Sequence, residues 1–83
     1  MRNWIDHNGT LLPADGPVLS VDNRAFHFGD GLFESIRIVN GRPCFMDHHW
    51  ARLSTGARVL RIELPAGLDQ AGAERQVRAL VER

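Results

Sequence analysis

The chain has 83 residues, of which 43% are hydrophobic, and its ten acidic residues balance its ten basic ones. This length allows one small domain at most, and the composition is that of a globular protein with a thin core. The balanced charge gives no basic patch for nucleic acid, and no apolar run approaches the roughly 18–20 residues of a membrane span. The single Cys44 cannot form an internal disulfide, so nothing indicates an oxidising compartment. From charge, hydropathy and cysteine count together we expect a soluble, cytoplasmic polypeptide without nucleic-acid or membrane partners.

The first predicted element is a hairpin near the N-terminus. Trp4–His7 and Thr10–Leu12 read as two short strands, and Asn8-Gly9 lies between them. Asn-Gly is a strong two-residue turn signal because both residues tolerate positive φ. The sequence therefore predicts an antiparallel pair here.

Residues 23–37, with the sequence NRAFHFGDGLFESIR, combine three phenylalanines, two arginines and a Gly-Asp-Gly turn. Surface loops seldom carry so many aromatic residues, and core strands seldom carry so many charges, so this composition is more typical of the wall of a ligand site. The glycines do not form a dinucleotide-binding fingerprint, because Glu34 stands where the third glycine would be. A tight backbone turn is the simpler interpretation.

The second half of this run predicts a strand over Leu32–Val39, followed by an Asn40-Gly41 turn and a return strand over Arg42–Met46. One face of the first strand would carry Phe33, Ser35, Arg37 and Val39, and the other Leu32, Glu34, Ile36 and Ile38. If Arg37 is buried it needs an anionic partner. A carboxylate ligand, Glu34 or Asp30 could each serve.

Two helices are predicted after the second hairpin. Asp47 would cap the first helix, which ends near Ile62 and carries its apolar face on Trp50, Leu53, Ala57 and Leu60. Asp69 would cap the second helix, with its buried side formed by Ala73, Val77, Leu80 and Val81. Two antiparallel hairpins and two helices define an α+β fold. A chain that ends on a helix also leads us to expect further sheet strands beyond it.

Few residues here suggest chemistry by their spacing. Arg52, early in the first predicted helix, could clamp an anion such as a phosphate, although an ordinary exposed arginine is the simpler interpretation. His48 and His49 are adjacent and diverge by about 100° on a helix, so they do not suggest a metal site. No nucleophile motif or paired acid marks a catalytic residue in the chain.

Taken together, the residue 23–37 run, the Asn40-Gly41 turn and the His49-Trp50-Ala51-Arg52-Leu53 segment resemble the N-terminal part of one family. They are similar to class IV aminotransferases, the fold-type IV enzymes that use pyridoxal 5′-phosphate (PLP). The family includes branched-chain aminotransferases, D-amino-acid aminotransferases and 4-amino-4-deoxychorismate lyases. The resemblance extends over roughly residues 4–64.

The resemblance implies roles for four residues. Arg52 matches the arginine that binds the PLP phosphate in the family. Phe28 and Phe33 match aromatic residues of the substrate pocket, and Arg37 matches an arginine that in some members lies near the substrate. The resemblance assigns no catalytic residue and no metal ligand to this chain, and it implies a homodimer acting on an amino-acid-type substrate.

The resemblance also implies what these residues lack. The family's catalytic lysine forms a Schiff base with PLP and moves the α-proton, whereas all ten basic residues here are arginines. We therefore expect residues 1–83 to be a truncated, partial small domain, inactive alone, without the C-terminal PLP-lysine domain. With one phosphate-binding arginine, we also expect this chain alone not to bind PLP tightly.

The Gly-Asp-Gly form looks more like that of aminodeoxychorismate lyases or D-amino-acid aminotransferases than that of branched-chain enzymes. Of these two we expect the lyase type, which releases 4-aminobenzoate and pyruvate for folate synthesis. A fragment of a D-amino-acid or branched-chain aminotransferase is the alternative. From a different class, a non-catalytic interaction module or a gene remnant also remains open.

Overall fold

The computed structural model describes residues 3–23, 28–29 and 31–83. Within them, four short strands precede two helices, which confirms the predicted α+β fold of two antiparallel hairpins and two helices. The elements are β1 (Trp4–His7), β2 (Thr10–Pro13), β3 (Ile38–Val39), β4 (Arg42–Pro43), α1 (Met46–Leu60) and α2 (Gln70–Val81).

The first hairpin forms as predicted. Strand β1 pairs antiparallel with β2, in a register that joins Trp4 to Pro13 and His7 to Thr10. Asn8 and Gly9 both have positive φ, 54° and 89°, which matches the right-handed twist of the flanking strands. The Asp6 carboxylate accepts a hydrogen bond of 2.7 Å from the Gly9 amide and so closes the turn.

The second hairpin is shorter than predicted. Asn40 and Gly41 form the turn, with φ of 52° and 74°, but the ladder covers only β3 and β4. The predicted strand bounds, Leu32–Val39 and Arg42–Met46, are therefore wrong. Pro43 has no N–H to donate to a ladder, and Phe45 adopts a left-handed φ of 58° that turns the chain into helix α1.

Helix α1 begins at Met46, so the prediction of Asp47 as its N-cap is wrong. The N-cap is Phe45, whose side chain accepts no capping hydrogen bond, and Asp47 lies in the first turn, where a carboxylate is favourable. The helix ends at Leu60, two residues before Ile62, close to the predicted end. Arg61 takes a left-handed φ of 57°, and the Ile62 amide returns a 2.8 Å bond to the Ala57 carbonyl.

Helix α2 confirms the predicted cap. Asp69 accepts a 2.8 Å hydrogen bond from the Gly72 amide, which satisfies one of the unpaired N–H groups of the first turn. The half-buried side includes Ala73, Val77 and Leu80, as predicted. Val81 is 39% exposed, so its assignment to that side is wrong: one residue beyond Leu80 it points about 100° away.

The hydrophobic core is small. Helix α2 packs against β1, β4 and α1, yet among the described residues only Met46 and Ala57 are buried hydrophobic side chains. Several large apolar side chains lie at the surface, including Phe28, Phe33 and Phe45. The protein therefore has little buried apolar area to hold it together, as its length suggested.

Candidate anion site between the 31–37 segment and helix α1

The alternating exposure of residues 31–37 indicates an extended segment with two distinct faces. Leu32, Glu34 and Ile36 are half-buried, whereas Phe33 and Arg37 are exposed, in strict alternation. This period of two is the pattern of a strand with one face on the core. The alternation therefore puts Glu34 on the side of helix α1 and leaves Phe33 and Arg37, two of the three predicted substrate-binding residues, exposed.

Gly56 lets this segment lie close to helix α1. A β-carbon built at Gly56 would come within 2.8 Å of the Leu32 Cδ2 atom, so a larger residue would force that side chain to move. Gly56 lies one helical turn beyond Arg52, and Leu32 is two residues before Glu34. This close packing brings the carboxylate within reach of the helix.

Glu34 and Arg52 form an ion pair across this contact. The Glu34 Oε1 atom lies 2.9 Å from Arg52 Nη2 and 3.2 Å from Nε, and Oε2 lies 3.5 Å from Nε. The carboxylate thus occupies the side of the guanidinium formed by Nε and Nη2. The side chain of Glu34 is 20% exposed and that of Arg52 is 60% exposed. The arginine therefore reaches from a half-buried carboxylate into solvent.

His49 is the third member of this cluster. It lies one turn before Arg52 on the same helix, and its Nδ1 atom is 2.5 Å from Glu34 Oε1. An ionised carboxylate can only accept, so His49 Nδ1 carries the hydrogen and donates it. The 3.2 Å separation of His49 Nδ1 and Arg52 Nη2 is then a contact between two donors that share one oxygen.

These donors stabilise the charged form of Glu34. Hydrogen bonds from Arg52 first, and from His49 second, hold the pKa of Glu34 below its usual range and outweigh the opposing effect of partial desolvation. At neutral pH the carboxylate is ionised and cancels the charge of Arg52. What remains at the site is an oriented guanidinium with unused donors.

The structure does not show the four residues implied by the family resemblance in one cluster. Arg52 pairs with Glu34, whereas Phe33 is 86% exposed and Arg37 is exposed. Phe33 also contributes to the lining of the apolar cavity beside Glu34. Phe28 is also largely exposed. Among Arg37's suggested partners, Glu34 instead binds Arg52, and Asp30 lies outside the described residues.

Sequence reasoning missed two members of the cluster, Glu34 and His49. The signals were available: the alternation of residues 32–37 puts Glu34 on the inner face, and His49 and Arg52 are three residues apart on one helical face. What the sequence did not show was that these two faces meet. No group of three or more metal-ligating side chains occurs among the described residues.

An apolar cavity of about 390 Å³ lies beside the cluster, between the 31–37 segment and the two helices. Its lining includes Leu32, Ile36, Trp50, Leu53 and Val77. Apolar residues of both helices thus line this cavity, and the space between them is not completely filled. In the described part of the chain, neither helix is long and apolar enough to cross a membrane.

Comparison with known proteins gives the family. A family model described as amino-transferase class IV matches residues 31–83. The D-alanine aminotransferase of Bacillus licheniformis is 35% identical over 75 residues, which cover 90% of this chain and 26% of that protein. The bifunctional aminodeoxychorismate lyase / D-amino acid transaminase of Mycobacterium tuberculosis is 34% identical over 58 residues, covering 70% and 20%. A probable branched-chain-amino-acid aminotransferase of Rickettsia conorii is 31% identical over 67 residues, covering 81% and 22%.

Because the family model matches more than half of the chain, the chain belongs to the class IV aminotransferase family. It spans about a fifth to a quarter of the length of these curated relatives. No solved structure matches it significantly. The matched residues include both sides of the candidate anion site, the 31–37 segment and helix α1.

Proposed function

We propose that these residues form part of the N-terminal small domain of a PLP-dependent class IV enzyme and that Arg52 binds the cofactor phosphate. The observation that carries the proposal is the Glu34–Arg52 geometry. Glu34 takes the Nε side of the guanidinium, and no residue in the described part of the chain accepts a hydrogen bond from Nη1. A phosphate fits two parallel N–H donors on one edge of a guanidinium.

The residues present can bind the phosphate of PLP, but they include no amine side chain to form a Schiff base with its aldehyde. Arg52 offers an exposed anion contact, but the 83 residues contain no lysine to bond the cofactor covalently. That amine would come from polypeptide outside these residues. When bound, PLP supplies an electron sink for charge that develops at the substrate α-carbon. This chain would bind the phosphate and orient it.

Phe28, Phe33 and Arg37 are proposed to contact the substrate. Their exposure supports this role, because a bound amino acid could cover the Phe33 ring and pair with the Arg37 guanidinium. The 31–37 segment would then present a cofactor-side cluster on one face and substrate contacts on the other.

For the reaction itself we propose the aminodeoxychorismate lyase type, which yields 4-aminobenzoate and pyruvate, in a cytoplasmic homodimer. The name of the Mycobacterium tuberculosis relative, which includes aminodeoxychorismate lyase, supports this choice, and the Gly29-Asp30-Gly31 sequence fits both the lyase and the D-amino-acid aminotransferase type. Transamination of D-amino acids is the second candidate, favoured by the name of the Bacillus licheniformis relative. Branched-chain transamination is a third.

Binding of pyridoxamine 5′-phosphate tests the phosphate contact without aldehyde chemistry at the N-terminal amine. We expect Arg52→Gln to weaken binding about tenfold or more, because it removes charge-assisted hydrogen bonds. Arg58→Gln, on the exposed side of the same helix, is the matched control and should bind like the wild type. Isothermal titration calorimetry measures both.

Pyridoxamine without the phosphate provides the second control and should bind weakly to all three proteins. Equal binding of the two ligands to the wild type, or undiminished binding of pyridoxamine 5′-phosphate to Arg52→Gln, would contradict the assignment of Arg52.

A further inference from the structure

A guanidinium has two edges that can hold an anion with paired hydrogen bonds: the side edge, Nε and Nη2, and the end edge, Nη1 and Nη2. In Arg52 the side edge is taken by Glu34, at 3.2 Å from Nε and 2.9 Å from Nη2. Nη2 has a second hydrogen, and both hydrogens of Nη1 have no acceptor among the described residues. The end edge therefore remains available.

We propose that Glu34 is a positioning residue that assigns the end edge of Arg52 to the phosphate, with the side edge kept for the carboxylate. This inference rests on the proposed function, because it concerns how the same arginine binds the same group. Glu34 touches neither cofactor nor substrate in this arrangement. It acts through Arg52 alone.

The surroundings of Glu34 restrict its position, which suits it to this role. Leu32 and Ile36 anchor the inner face of the segment, and the Leu32 side chain meets helix α1 at Gly56. His49 donates to the same Oε1 atom that Arg52 contacts. An exposed arginine would otherwise sample many rotamers, and ordering it on binding would cost affinity. A fixed carboxylate supplies that order beforehand.

Charge alone predicts the opposite effect of Glu34, and this makes the inference testable. The carboxylate cancels the positive charge of Arg52, and it repels a phosphate bound nearby. If electrostatics decided affinity, removal of Glu34 would strengthen phosphate binding. If orientation decides it, removal of Glu34 weakens binding although the net charge becomes more positive.

The wild-type chain can be tested first, by nuclear magnetic resonance of the arginine side chains during titration with pyridoxamine 5′-phosphate. We expect the Arg52 Nη signals to shift and sharpen while the Nε–H signal, still bound to Glu34, moves little. A large shift of the Arg52 Nε–H and of the Glu34 carboxyl carbon would show that the phosphate displaces Glu34, and would overturn the inference.

Two substitutions then separate orientation from charge. Glu34→Ala should weaken binding roughly three- to tenfold, because the guanidinium loses its fixed orientation. Glu34→Gln keeps an acceptor for Arg52 and should restore binding to within about twofold of the wild type. Glu63→Gln, at an exposed position outside the cluster, makes the same change in net charge and should have no effect.

The outcomes distinguish this inference from the proposed function. If Arg52→Gln binds as tightly as the wild type, the phosphate assignment itself fails. If Arg52→Gln loses binding but Glu34→Ala binds as well or better, only the positioning role of Glu34 is overturned. Should Glu34→Ala not fold, as judged by circular dichroism, the wild-type titration still decides.

Discussion

At the scale of single residues, Glu34 is the common hydrogen-bond acceptor of the candidate anion site. One half-buried carboxylate accepts hydrogen bonds from His49 and Arg52, and it connects the extended segment to helix α1. Exposed ion pairs contribute little to stability, about 0–1 kcal/mol. The Glu34 side chain is 20% exposed, and in our proposal its ion pair serves to orient the Arg52 side chain.

The lowered pKa of Glu34 predicts how stability depends on pH. Because the pKa is lower in the folded chain than in the unfolded one, the stabilisation by Glu34 is complete above the unfolded pKa and is lost as pH falls through the folded pKa. Relative to Glu34→Gln, the wild type should therefore lose its advantage in acid.

Urea unfolding of both proteins at neutral pH and at several acidic values measures this difference. A gap in the free energy of unfolding that stays constant from neutral pH into strong acid would show that the Glu34 charge does not stabilise the fold.

At the scale of elements, caps and turns fix the boundaries where strand pairing is weak. The 31–37 segment has the alternation of a strand, but only two of the following residues join a ladder. The left-handed φ of Phe45 and Arg61 bounds helix α1, whereas Asp69 begins α2 by a side-chain hydrogen bond. Local backbone conformation thus sets where the helix carrying Arg52 starts.

Removal of the Asp69 cap should destabilise the chain. Asp69→Ala leaves the Gly72 amide without its acceptor, and we expect a loss of about 1 kcal/mol in the free energy of unfolding. Asp15→Ala, in an exposed turn, is the matched control and should change stability little. Chemical denaturation measures both, and equal effects of the two substitutions would contradict a capping role for Asp69.

At the scale of the whole molecule, a thin core supports an exposed surface. Among the described residues only Met46 and Ala57 are buried and hydrophobic, while Phe28, Phe33 and Phe45 are exposed. The chain also spans about a quarter of the Bacillus licheniformis relative. In our proposal, polypeptide outside these residues covers part of this surface and brings the lysine.

According to this proposal, the 83 residues alone are inactive, whereas a longer product with a lysine-bearing domain is active. The 83 residues alone, mixed with PLP, should release no 4-aminobenzoate from 4-amino-4-deoxychorismate and should not transaminate D-alanine, because they contain no lysine. The nucleotide sequence after the Arg83 codon, read in all three frames, shows whether a lysine-bearing domain can be expressed with it.

Such a longer product should carry out one of the two reactions, and 4-aminobenzoate release distinguishes lyase from transaminase. Turnover by the 83 residues alone would contradict the requirement for an external lysine. If no frame encodes that domain, the proposed enzymatic role loses its support.

The sequence by itself determined the elements with strong local signals and the family. Asn8-Gly9 and Asn40-Gly41 specify their turns because few other residues tolerate positive φ, and Asp69 specifies a cap because its side chain bonds its own helix. Motif order carried the family resemblance, which the family match confirmed.

Only the tertiary structure decided that Glu34 and Arg52 form an ion pair. They are 18 residues apart, and Leu32, two residues before Glu34, lies against Gly56 of the same helix, a long-range contact with no local signature. Strand length was likewise decided nonlocally, since a ladder needs a partner strand as well as an alternating pattern. Local rules fixed the turns and the α2 cap, and packing between distant segments fixed the site.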